Sequence, residues 1–177
     1  MGYAIVGYFD RASEEKIREL WKNLADLGVD DYLINSENNP HIKFAMFHSI
    51  DLLSVQSELQ LLADRIGKIN VHFKKYGLYP GEQPFITIDI ADNIDILKLH
   101  MEIQKIFNQL GEADARGYFR EGIWKPDCQL TVSIDKTKLA TAINYLNDTG
   151  VAFNGRLERI GVIEFHPAKQ LFNYDLC

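Results

Sequence analysis

The chain has 177 residues, 46% of them hydrophobic and 25% charged, with a formal net charge of −6. That length fits one domain, or two small lobes sharing a cleft, and the composition is that of an ordinary globular protein. The negative balance excludes a general footprint for long or duplex nucleic acid, because unspecific binding of a phosphate backbone needs clustered Lys and Arg. A small anion in a locally positive pocket stays open.

No apolar run approaches the ~20 residues of a membrane span, and Met1 leads straight into a strand-like segment, so a cytoplasmic protein with no membrane contact is expected. Cys128 and Cys177 make neither a disulfide framework nor a C-x-x-C pair. Cys128 reads as a small buried hydrophobe on a strand. No metal or other cofactor is expected.

In chain order, "YAIVGYF" (3–9) reads as a strand. "SEEKIRELWKNLADLG" reads as a helix with Ser13 as N-cap, Ile17, Leu20, Trp21 and Leu24 on one face, and Gly28 as its stop. "PHIKFAMFHSID" (40–51) is a strand, followed by a helix around 52–66 that carries Val55, Leu59, Leu62 and Ile66. "INVHFKKYGLY" and "PFITIDI" form a hairpin across "PGEQ". A helix at about 93–110 and the loop "EADARGYFREGIWK" lead to a second polar-faced strand, "PDCQLTVSID" (126–135). A helix with Leu139, Ile143 and Leu146 and a hairpin of "GRLERIGVIEF" with "QLFNYDL" complete the chain.

The same order is written twice. Ser49-Ile50-Asp51 recurs 84 residues later as Ser133-Ile134-Asp135, and Gly77 in "FKKYG" recurs at the same offset as Gly161 in "LERIG". The spacing predicts a duplicated α+β unit: two lobes, each an antiparallel sheet backed by helices, related by an approximate two-fold axis about a central groove. On a strand, alternate residues share a face. His41, Lys43, Ala45 and Phe47 therefore fall on one side of the first Ser-Ile-Asp strand, and Ile42, Phe44 and Met46 on the other. In the second strand Asp127, Gln129, Thr131 and Ser133 make the polar face. His41 corresponds to Asp127, and Lys43 to Gln129.

"YAIVGYF", "PHIKF" and "WKPDCQL" resemble the 2H phosphoesterases, the superfamily of 2'-5' RNA ligase and RNA 2',3'-cyclic phosphodiesterase. The resemblance spans nearly the whole chain as one domain of two pseudo-symmetric lobes, the LigT-like fold. The family carries one His-x-Thr/Ser motif per lobe. Here the first has become His41-Ile42-Lys43 and the second Asp127-Cys128-Gln129, framed by Pro40, Trp124, Pro126 and Leu130. A second register, Gln129-x-Thr131, restores a hydroxyl but is framed less well.

The resemblance implies a partner: a nucleotide or RNA end with a cyclic or terminal phosphate, bound in the groove. It also implies that His41 and Asp127 occupy the proton-transfer positions, with Lys43, Gln129 and Thr131 against the phosphate. His suits proton transfer because its ordinary pKa of ~6.5 lies near working pH. An exposed Asp at ~3.9 can act as a base but hardly as an acid. Lys43 either holds phosphate or reaches across to Asp127. Trp124, Tyr118 and Phe119 could stack on a base, and Arg116 and Arg120 could meet phosphate, with loop anchoring as the plainer role. His48, His72, His100 and His166 read as surface or structural residues. Activity is either retained through His41 or lost, leaving a nucleotide-binding or partner-binding module.

Overall fold

The recurring Ser-Ile-Asp has a local cause. In the computed structural model, which describes residues 2–115, 117–165 and 167–177, both aspartates cap the helical turn that follows them, Asp51 directly after a strand and Asp135 after an irregular stretch. Asp51 accepts the backbone N–H groups of Leu53 and Ser54, and Asp135 accepts that of Thr137. A carboxylate there satisfies donors that the first helical turn leaves unpaired.

The first half runs β1 (Gly2–Phe9), α1 (Arg11–Asp26), a short α2 (Tyr32–Asn35), β2 (His41–Ile50), α3 (Leu52–Ala63) and β3 (Ile69–Tyr79). The second runs β4 (Phe85–Ile90), α4 (Ile94–Phe107), β5 (Gly111–Ala113), β6 (Asp127–Gln129), α5 (Leu139–Thr149), β7 (Phe153–Phe165) and β8 (Lys169–Asp175). Ser13 is not the cap of α1. Asp10 is, accepting Ser13 N–H at 3.0 Å, while the buried Ser13 hydroxyl donates to its other oxygen at 2.8 Å.

All strand pairings are antiparallel, and six strands close a ring in the order β1–β2–β6–β4–β3–β7, with β7 returning to β1. The two expected sheets are thus joined at both edges. At one edge β2 meets β6 through Ile42 and Cys128. At the other β3 meets β7 from Ile69–Leu157 to Phe73–Phe153. The second junction maps onto itself under the 84-residue offset, with Val71–Gly155 at its centre, and Ile42 meets its own counterpart in Cys128.

The main core lies between the sheet and the helices and takes Ile17, Trp21 and Leu24 of α1 and Ile96, Leu99 and Ile103 of α4. A smaller apolar group, Ala4, Val6, Tyr8 and Ile163 with Met46 and Phe165, forms a separate cluster. Gly155 sits where β7 passes under the start of α1. A Cβ there would stand 2.0 Å from Ser13 Oγ and 3.0 Å from Asp10 Oδ2. Gly155→Ala is therefore expected to cost ~1–3 kcal/mol by overpacking. A denaturant midpoint equal to the parent's would contradict this.

Two bulges break the predicted alternation. Ile5 pairs with Ala45 but Val6 pairs with Lys43, so Phe44 is an extra residue in β2. The bulge sends Phe44, Ala45 and Phe47 all into the main core and leaves Met46 with the smaller cluster, the reverse of strict alternation for 45, 46 and 47. In the second strand, Leu130 N–H and Thr131 N–H both donate to Ile86 O, at 2.8 and 3.1 Å. The strand pairing accordingly ends at Gln129.

Candidate active site

The Ile42–Cys128 pair fixes the register at the cleft. It sets His41 opposite Gln129 and Lys43 opposite Asp127, on the face away from the core that receives Ile42 and Cys128. Cβ atoms of such cross-strand neighbours lie ~4.5–5.5 Å apart, and diagonal ones ~7–8 Å. The four motif positions of the sequence thus meet in one patch. His41 and Asp127 lie on its diagonal.

His41 is only 8% exposed. Its Nδ1 lies 2.6 Å from Asn39 O. A carbonyl only accepts, so Nδ1 carries the proton of the neutral ring and Nε2 keeps its lone pair. Nε2 is buried without a hydrogen-bond partner among the described residues. Burial, with the nearby Lys43 charge, pushes the imidazole pKa down to about 3, against the bond to Asn39. The ring is therefore neutral at ordinary pH, with the Nε2 lone pair unprotonated.

Asp127 is not the exposed carboxylate that its residue type implies. Burial pushes its pKa up to about 6, helped by the Asp89 charge and opposed by the Tyr79 hydroxyl and Lys43. Tyr79 OH donates to Asp127 Oδ2 at 3.1 Å, and Asp89 is its direct partner across β4–β6. An acid with that pKa holds its proton in part of the population near neutrality, as a histidine does. Lys43 Nζ donates to Gln129 Oε1 at 2.9 Å, linking β2 to β6 across the patch.

The cleft beside this patch has a volume of about 520 Å³ and is lined by His41, Lys43 and Gln129 on the polar side and by Tyr32, Phe85 and Phe165 among its apolar residues. That is within the range of small-molecule sites, ~300–1,000 Å³. Asp127 stands beside the lining rather than in it. Among the described residues, no cluster of three or more His, Cys, Asp and Glu could hold a metal ion, and no helix is long and apolar enough to cross a membrane.

The remaining sequence candidates lie elsewhere. Thr131 is fully buried, and its Oγ1 accepts Ile86 N–H at 2.8 Å, so its hydroxyl serves the bulge and not a ligand. Trp124 is buried too. Its ring stacks on His100 at 4.1 Å, and its Nε1 donates to Lys43 O at 2.9 Å. It braces β2 from the core side and offers no face to a base. Tyr118 is 64% exposed and does not line the cleft. Phe119 packs on the core and Arg120 is exposed, while Arg116 and His166 lie outside the described residues. His48 is exposed, His72 is exposed and meets Asn154, and buried His100 bonds Phe119 O at 2.8 Å. Cys128 is buried, which pushes its thiol up to about 12 and makes it inert.

Three site residues escaped the sequence reading: Asn39, Tyr79 and Asp89. For Asp89 a signal was present. "FITIDI" alternates Ile86, Ile88 and Ile90 with Phe85, Thr87 and Asp89, which puts a carboxylate on the face that Asp127 also occupies.

No protein-family model and no curated protein sequence matches the chain. Solved structures do. TT0787 of Thermus thermophilus is 11% identical, with a TM-score of 0.62 over 99% of this chain and 98% of that one. Escherichia coli LigT complexed with 3'-AMP is 12% identical, with a TM-score of 0.60 over 99% of both chains. Kluyveromyces marxianus Usb1 is 7% identical, with a TM-score of 0.54 over 96% of both. Over nearly its full length, the chain has the α+β fold of the 2H phosphoesterases.

Proposed function

We propose that the chain is a divergent, cytoplasmic phosphoesterase of this fold that binds a nucleotide or RNA end and opens its 2',3'-cyclic phosphodiester. The carrying observation is His41: a buried neutral imidazole whose Nδ1 is fixed on Asn39 O and whose Nε2 has no partner among the described residues. A fixed tautomer with an idle lone pair meets the geometric requirement of a general base. In the reaction, Nε2 takes a proton from water as the water oxygen bonds to phosphorus. The bond from phosphorus to one ribose oxygen breaks, and the protonated Asp127 carboxyl supplies that oxygen with its proton. Lys43 and the Gln129 amide N–H groups bind the non-bridging oxygens. The same groups with reversed roles would serve 2'-5' ligation. The nucleotides named with Escherichia coli LigT, 3'-AMP and NADP+, support a nucleotide-sized ligand for a cleft of this fold.

His41→Ala is expected to lower turnover of 2',3'-cyclic AMP by ~10²–10⁴-fold, the usual contribution of a positioned base. Equal rates in the two proteins would overturn the catalytic role.

One observation favours a second reading. The Lys43–Gln129 hydrogen bond lets the two phosphate-holding positions satisfy each other. A chain that keeps that bond closed is a nucleotide-binding or partner-binding module without turnover. Calorimetry distinguishes the two, since the module gives a binding heat with 2',3'-cyclic AMP and no product on long incubation.

A further inference from the structure

The two halves of the site are framed in the same way by different residues. In the first, Tyr8 of β1 pairs with His41, their rings meeting edge-on at 6.3 Å, and a Cβ on Gly161 of β7 would stand 2.9 Å from Tyr8 Cε2. In the second, Asp89 of β4 pairs with Asp127, and a Cβ on Gly77 of β3 would stand 2.6 Å from Asp89 Oδ1. Each glycine leaves room for the side chain that flanks a motif residue. The base is flanked by a neutral phenol, and the acid by a second carboxylate.

We infer that Asp89 and Tyr79 are positioning residues that set how tightly Asp127 holds the proton it delivers, one through its charge and the other through its hydrogen bond. This rests on the acid role given to Asp127 above. The groups facing Asp127 are Asp89 from β4, Tyr79 from β3, and Lys43 and His41 from β2, with Lys75 of β3 paired to Asp89. Thr87 Oγ1 donates to Asp89 Oδ1 at 3.3 Å, which, with the space over Gly77, holds that carboxylate beside its neighbour. A negative charge at that place opposes ionisation of Asp127. The Tyr79 hydroxyl acts in the opposite sense, because it donates to the ionised carboxylate. Tyr79 also stacks flat on Phe85, at 4.6 Å and 4°, so its hydroxyl is aimed by an aromatic neighbour.

The test is a carboxyl ¹³C NMR titration of the full chain, with the Asp127 resonance assigned by its loss in Asp127→Asn. The parent midpoint is expected at about 6. Asp89→Asn is expected to lower it by ~1 unit, and Tyr79→Phe to raise it by a similar amount. Unmoved midpoints, or two shifts of the same sign, would overturn the inference. Should one variant fail to fold, the sign of the other decides. The titration needs no substrate, so it reads this inference even if the parent turns over no cyclic phosphodiester, a result that would sink the proposed reaction alone.

Discussion

Trp124→Ala is expected to destabilise the protein by ~3–5 kcal/mol, the range for emptying a buried aromatic site. The ring is 8% exposed, stacked on His100 at 4.1 Å with only 5° between planes, and 5.4 Å from Phe44. Its loss also strips Lys43 O of the indole N–H that donates to it at 2.9 Å. The stack matters beyond packing area. His100 reaches Phe119 O, so one indole ties α4, the loop before β6 and the back of β2 together. Against a typical domain stability of ~5–15 kcal/mol, that loss is a large share. Denaturant unfolding measures it, and a loss below ~1 kcal/mol would show that the ring is no anchor.

Asp127→Asn is expected to act on rate and stability in opposite directions. Removing a general acid typically lowers the rate by ~10²–10⁴-fold. On stability, the carboxyl pKa rises from an ordinary 3.8 to about 6 on folding. The folded state thus binds the proton more tightly than the unfolded one. The stability this confers is complete below pH 3.8 and is lost as pH rises through about 6. At ~1.4 kcal/mol per unit, the loss by pH 8 approaches ~3 kcal/mol. Asparagine has no such loss, so the variant should gain on the parent by up to ~3 kcal/mol between pH 4 and pH 8.

His41 contributes with the other sign. Its pKa falls from 6.5 to about 3 on folding, so its share is present at neutral pH and lost as acid is added toward pH 3. Because both proteins keep His41, their difference isolates Asp127. A difference that does not change between pH 4 and pH 8 would mean that Asp127 titrates as an exposed carboxyl.

The first half of the site was largely legible in the sequence. Strand alternation places His41 with Lys43, the family resemblance places Asp127 with Gln129, and the structure brings all four to one junction. Alternation fails where the backbone departs from it. The bulge at Leu130–Thr131 buries a hydroxyl that a regular strand would present to the cleft, and the one at Phe44 turns Met46 around. Trp124 stands near a motif in sequence, as a base-stacking residue would, but its partners His100 and Phe44 come from two other elements. The proton affinity of Asp127 was out of reach for the same reason. It depends on burial and on Tyr79 and Asp89, which are neighbours only through the β3–β4–β6 register.

The central claim is that a neutral His41 and a protonatable Asp127 share proton transfer across the cleft. The pH dependence of kcat/KM for 2',3'-cyclic AMP between pH 4 and pH 9 tests it most directly, because the profile reports the free enzyme's essential acid and base. The expected result is a rate that is level on the acid side and falls ~tenfold per pH unit above about 6, with that limb absent in Asp127→Asn. A rate that rises with pH through this range, or a falling limb that survives in Asp127→Asn, would contradict it.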